Sequence, residues 1–131
     1  MSVAIINNIK IKSIELLAYE VSSYMIDLGY MCDVKKDEDS YITYVYKERF
    51  LKNIAGTPSC VKAIFTKNDD NLNIEIKTGY VEFNGSNVLR EIIGTATVLP
   101  SLNKLLDIIK IKKSIKKACL FSIEKLKEEK K

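Results

Sequence analysis

Leu72-Asn73-Ile74-Glu75-Ile76-Lys77-Thr78 alternates apolar and polar residues through Lys77, and its reading decides the fold. A period of two puts Leu72, Ile74 and Ile76 on one face of a strand and Asn73, Glu75 and Lys77 on the other. That is the signature of a sheet with one face against a core. Just before it, Asn68-Asp69-Asp70-Asn71 is a polar turn, and Cys60 to Lys67 reads as the preceding strand. The same arrangement stands upstream. Tyr30, Cys32 and Val34 alternate with Met31, Asp33 and Lys35; Asp37-Glu38-Asp39-Ser40 turns; Tyr41 to Glu48, rich in Tyr, Ile, Thr and Val, returns as the hairpin partner. Arg49 to Pro58 connects the two hairpins as a loop or short helical turn. Gly79 marks a bend, and Tyr80 to Phe83 is a short fifth strand or an extension of the fourth.

Working outward from this block, the period becomes helical on both sides. Ile14, Leu17, Ala18, Val21, Met25 and Leu28 form one apolar stripe, with Ser13 placed as N-cap and Gly29 where a left-handed C-terminal residue is wanted. After Asn84-Gly85-Ser86, the residues Val88, Leu89, Ile92, Ile93 and Ala96 fit a helical stripe. Pro100 breaks or starts an element, and Ser101 caps the next. From Leu102 the pattern is helical almost to the end, with a joint expected near Ile111. Strands in one block with helices before and after indicate an α+β two-layer domain rather than a βαβ sheet. The expectation is a single domain over residues 1–131: an N-terminal helix, a four- or five-stranded antiparallel sheet, and two or three C-terminal helices.

The chain has 131 residues, 47% hydrophobic and 29% charged, which is one domain with enough apolar content for a core. It contains no His, the commonest general base and metal ligand. Gly56-Thr57-Pro58-Ser59 and Gly94-Thr95-Ala96-Thr97 do not extend into either phosphate-loop pattern. Ser59-Cys60 beside Lys62 can be drawn as a nucleophile with a lysine base, if the strand is regular. Asp37-Glu38-Asp39 lacks the spacing of a calcium loop. Cys32, Cys60 and Cys119 are odd in number and far apart, which suits small buried hydrophobes in a reduced compartment rather than disulfides or zinc. No enzyme, catalytic residue, metal site or cofactor is expected. The apolar run Val3 to Ile6 is shorter than the roughly 7–15 residues of a signal peptide. Val88 to Ile111 carries too many charges to span a bilayer, so a cytoplasmic protein is expected.

Charge is distributed unevenly. The net charge is +4, but residues 110–131 hold nine Lys and three acids, while residues 1–109 hold 12 basic and 14 acidic residues. A slightly acidic body of −2 therefore carries a +6 C-terminal segment. On a helical wheel Ile111, Ile115, Ala118, Cys119, Ser122 and Leu126 fall within an arc of about 100°. Lys110, Lys112, Lys113, Lys116 and Lys117 lie outside it. A helix docked by that arc would show five lysines as a positive ridge, with Leu120 among them and Phe121 near the edge. Such a ridge suits nucleic acid phosphates, an anionic membrane surface or the groove of a protein partner, and the Leu120–Phe121 edge suits a second copy of the chain. It equally suits a solvated outer face enriched in Lys by AT-rich codons. Only Arg49 and Arg90 are arginines, which weakens specific phosphate recognition. On the sheet, Tyr41, Tyr44 and Tyr46 are candidates for stacking nucleobases.

Three segments carry a family resemblance: Tyr41-Ile42-Thr43-Tyr44-Val45-Tyr46-Lys47; Leu51-Lys52-Asn53-Ile54-Ala55-Gly56-Thr57 leading into Val61-Lys62-Ala63-Ile64-Phe65; and Leu72 to Tyr80 with Leu99-Pro100 opening the last part. From Gly29 to Leu126 this layout resembles a small bacterial domain family of unknown function, sometimes joined to a zinc ribbon or a membrane-proximal segment. Its members often have an aromatic residue such as Trp where Tyr80 or Val81 falls, and a Gly-rich apolar segment where Thr97 to Ile111 lies. This chain is more charged there and has no zinc ribbon. The resemblance implies the order strand-strand-loop-strand-strand-helix and no activity. The expected function is a non-enzymatic binding module of the bacterial cytoplasm that engages an anionic or protein partner. Lys110, Lys112, Lys113, Lys116, Lys117, Leu120 and Phe121 would form its contact set. The alternative is a small-molecule or lipid-binding domain, with Phe50 to Ile54 and Val88 to Leu106 walling a pocket between sheet and helices.

Overall fold

The computed structural model describes residues 2–6, 13–47, 59–69, 71–84, 88–91 and 101–126. In chain order the elements are β1 (Ser2–Ile6), α1 (Ile14–Asp27), β2 (Met31–Asp37), β3 (Ser40–Tyr46), β4 (Cys60–Asn68), β5 (Asn71–Gly79), β6 (Val81–Asn84), β7 (Val88–Glu91) and α2 (Leu102–Leu126). The fold is α+β. Five antiparallel strands stand in the order β1-β5-β4-β3-β2, and β6 and β7 form a separate two-stranded pair. The chain starts at one edge of the sheet, passes through α1 to the opposite edge, and meanders back through β2 to β5.

The local signals act as the residue types dictate. Ser13 accepts a hydrogen bond from the Leu16 amide at 3.0 Å and starts α1. Gly29, at φ 98°, stops it: the Gly29 amide donates to the Ile26 carbonyl and the Tyr30 amide to that of Met25, the paired bonds of a left-handed cap. Asp37 pairs with Ser40 and Asn68 with Asn71, so both hairpins turn where the polar clusters stand. Leu72, Ile74 and Ile76 are buried while Asn73, Glu75 and Lys77 are partly exposed.

The core lies between the sheet and the two helices. α1 rests on β2, β3 and β4, and α2 lies beside it against β4 and β5. Leu17, Val21 and Met25 of α1 meet Val45, Val61, Ala63 and Phe65 of the sheet, with Ile108, Ile111, Ile115 and Ala118 of α2 closing the layer. Thr43, fully buried at the sheet centre, donates its hydroxyl to the Ala18 carbonyl at 2.9 Å and ties the sheet to α1.

Four expectations change. The fifth strand of the main sheet is β1, not Tyr80 to Phe83; β1 pairs with β5 along Ser2–Ile76 to Ile6–Leu72. The segment beginning at Val88, read as helical, opens with a strand, because it has an antiparallel partner in β6, paired from Val81–Glu91 to Asn84–Val88. Residues 92–100 lie outside the described residues. Of the two or three C-terminal helices expected, the described residues hold one, of 25 residues, and it runs without the expected joint. Ile111, the expected joint, sits fully buried in mid-helix, and no Gly or Pro occurs after Pro100 to break it. Leu28, placed on the inner stripe of α1, is exposed, because the helix ends there and Gly29 redirects the chain.

Candidate functional site

α2 places the lysine ridge. Ser101 caps it, accepting from the Lys104 amide at 3.2 Å, and from Leu102 to Leu126 the helix spans about 37 Å. Ile111, Ile115, Ala118, Cys119, Ser122 and Leu126 are all buried, as the wheel requires. The same arc continues towards the N-terminus through Ile108 and Lys104, both buried. Burial pulls the Lys104 ammonium below the ordinary lysine pKa.

With the inner arc anchored, the outer face is set. Lys110, Lys113, Lys116 and Lys117 are exposed and Lys112 is half-buried at the arc's margin. Between Asp107 and Glu124 the helix has five lysines and no acid over sixteen residues. Asp107 is already engaged by Lys47 at 3.2 Å, and Lys47 also lies 5.8 Å from the Tyr30 ring centre. Among the described residues none of the five ridge lysines has an ion-pair partner; the ion pairs seen involve Lys47, Lys77 and Lys125. The pairs Lys112–Lys116 and Lys113–Lys117 are four residues apart, and like charges at that spacing cost a helix about 0.2–0.5 kcal/mol each.

The two apolar candidates separate. Leu120 stands on the outermost line of the helix and is 66% exposed. Phe121 turns towards α1, its ring 5.7 Å from that of Tyr24. Sequence reasoning missed that Leu102, Leu106 and Ile109 share the outer line with Leu120, and that Leu105 flanks it; all are exposed. The signal was present, since the outer face is fixed once the buried arc is known.

The sheet offers no aromatic platform among these tyrosines. Tyr44 and Tyr46 are buried, which corrects the stacking expectation. Burial, with Asp33 second, pushes the Tyr46 phenol up to about 12, and its hydroxyl donates to the Asp33 carboxylate at 3.3 Å. Tyr41 donates to Glu15 at 2.6 Å, and this bond raises its pKa. In the nucleophile drawing the serine is engaged structurally. β4 is regular, so Cys60 and Lys62 share a face, but the Ser59 hydroxyl accepts from the Val81 amide at 2.6 Å and donates to the Val81 carbonyl at 3.1 Å. Ser59 thereby fastens β4 to the start of β6. Gly79 is required beside it: a Cβ there would come within 2.9 Å of the Cys60 sulfur.

Of the residues proposed to wall a pocket, Phe50 to Ile54 lie outside the described residues, and Leu102, Leu105 and Leu106 face outward. A different cleft of about 510 Å³ opens at the turn end of the sheet, lined by polar residues including Lys36, Glu38, Asp39 and Lys67. Among the described residues no three His, Cys, Asp or Glu side chains are grouped to hold a metal ion, and no helix is long and apolar enough to cross a membrane. No family model, curated protein or solved structure matches the chain.

Proposed function

We propose that the protein is a non-enzymatic binding module that engages an anionic partner through the outer face of α2. One observation carries this reading: five lysines with no ion-pair partner among the described residues, held on a helix whose opposite arc is buried. The buried arc fixes their positions, so the charge array is set before a partner arrives and little ordering cost remains. Because all five are Lys, they supply point charges rather than planar forks, which suits an array of anionic groups better than bidentate recognition of a single carboxylate or phosphate. Exposed Leu120 among them adds apolar contact. The free thiols Cys32, Cys60 and Cys119 suit a reducing cytoplasm.

Fluorescence anisotropy with labelled polyglutamate tests the proposal. Binding at about 20 mM salt is expected and should weaken strongly at about 300 mM, where screening shortens the reach of each lysine. No binding at low salt would reject it.

A further inference from the structure

The outer line of α2 carries exposed apolar residues that its charge alone does not require. Leu102, Leu106, Ile109, Lys113, Lys116 and Leu120 follow one another at steps of four, three, four, three and four. These steps average 3.6 residues, the period of a straight α-helix, so the six form one line along it, as a helix–helix seam needs. All six are exposed, opposite the buried arc, along about 27 Å of helix. Resting on the proposed function above, we infer that the anionic partner is an acidic amphipathic α-helix that packs lengthwise against α2. Its apolar residues lie against Leu102, Leu106 and Ile109, and its carboxylates against Lys113 and Lys116.

The charge layout selects this occupant. Lysines Lys110 and Lys117 flank the seam on one side and Lys112 on the other, where a partner helix would carry acids in its flanking positions. A second copy does not fit. In parallel it sets Lys113 against Lys113; antiparallel about the seam centre it sets Lys113 on Ile109 and Lys116 on Leu106, with no acid on either seam. A bilayer surface fits poorly too, because Lys113 and Lys116 occupy the line of deepest insertion rather than its flanks. Nucleic acid answers the lysines but offers no apolar counterpart to Leu102, Leu106 and Ile109.

The test uses the full chain and two synthetic peptides of about 20 residues with one composition of Leu, Glu and Ala. One has heptad spacing, the other a scrambled order. Polyglutamate and phosphatidylserine–phosphatidylcholine vesicles are the comparison probes. The patterned peptide should bind about tenfold or more tightly than the scrambled one and gain helical circular dichroism on binding. Leu106→Ser and Ile109→Ser, both at exposed positions, should each weaken it about tenfold, leaving polyglutamate binding and the melting temperature unchanged. Equal affinity for the two peptides, or no effect of either substitution, would overturn the helix inference. So would vesicle binding in preference to the patterned peptide. If polyglutamate binding persists in those cases, the lysine-face reading stands; if the chain binds none of the probes, both fall.

Discussion

The Lys125 ammonium lies 3.1 Å from the Glu20 carboxylate, joining the last turn of α2 to the middle of α1 across 105 residues of sequence. It shows what the ridge lysines lack. Lys125 sits over an acidic neighbour on the adjacent helix, while Lys113, Lys116 and Lys117 are exposed and have no ion-pair partner among the described residues. The clasp itself is a surface pair, with both side chains partly exposed, so its contribution is small. Glu20→Gln should lower the unfolding free energy by less than about 1 kcal/mol in urea titrations, and the loss should shrink further at high salt. A loss of several kcal/mol would mean the two helices depend on this pair rather than on their buried faces.

Those buried faces should account for most of the stability. Thr43→Val removes the hydroxyl that reaches the Ala18 carbonyl while keeping the shape, and should cost about 1 kcal/mol. Phe65→Ala, at a fully buried position in β4, should cost about 3–5 kcal/mol. Denaturant unfolding of the two variants checks the ratio; equal costs would contradict the placement of the core.

The thiols give a pH prediction. Burial pushes Cys32 and Cys119 up to about 12 from 9.0, and Tyr46 rises to about 12 from 10.0. In each case the folded state holds its proton at a pH where the unfolded chain has released it. The stability they contribute is therefore full below about pH 9 and lost as pH climbs towards 12. Lys104, lowered by burial, acts in the opposite sense below 10.5. Equilibrium unfolding followed from pH 8 to 11.5 should show stability falling in the upper part of the range. At pH 8 Cys32 and Cys119 should react slowly with iodoacetamide in the native protein and rapidly in urea. Fast native labelling would show that these thiols are not buried.

What could be read from the sequence follows from how local its causes are. α1 was legible because Ser13, the stripe from Leu17 to Met25 and Gly29 each act within one turn of helix. The two hairpins were legible because each strand's partner is its neighbour across a polar turn. β1 was not, since its partner β5 lies some seventy residues away and nothing beside Val3 to Ile6 marks that pairing. β7 was misread because Val88, Leu89, Ile92 and Ile93 satisfy a helical period, and only the β6 partner decides otherwise. The lysine ridge was legible from the arc Ile111 to Leu126. The leucines on the outer line were not recognised because the arc was not continued back through Ile108 and Lys104, which would have placed Leu102, Leu106 and Ile109 outside.

The central claim is that binding depends on where the lysines stand and not on net charge. Two double variants with the same net charge separate these: Lys113→Glu with Lys116→Glu on α2, and Lys36→Glu with Lys67→Glu at the turn end of the sheet, where both lysines are exposed. Polyglutamate affinity is measured for each at low salt. The account predicts that the α2 variant loses binding by about a hundredfold or more, since two attractive contacts become repulsive, while the sheet variant stays within about threefold of the parent chain. Equal losses in the two variants would contradict it.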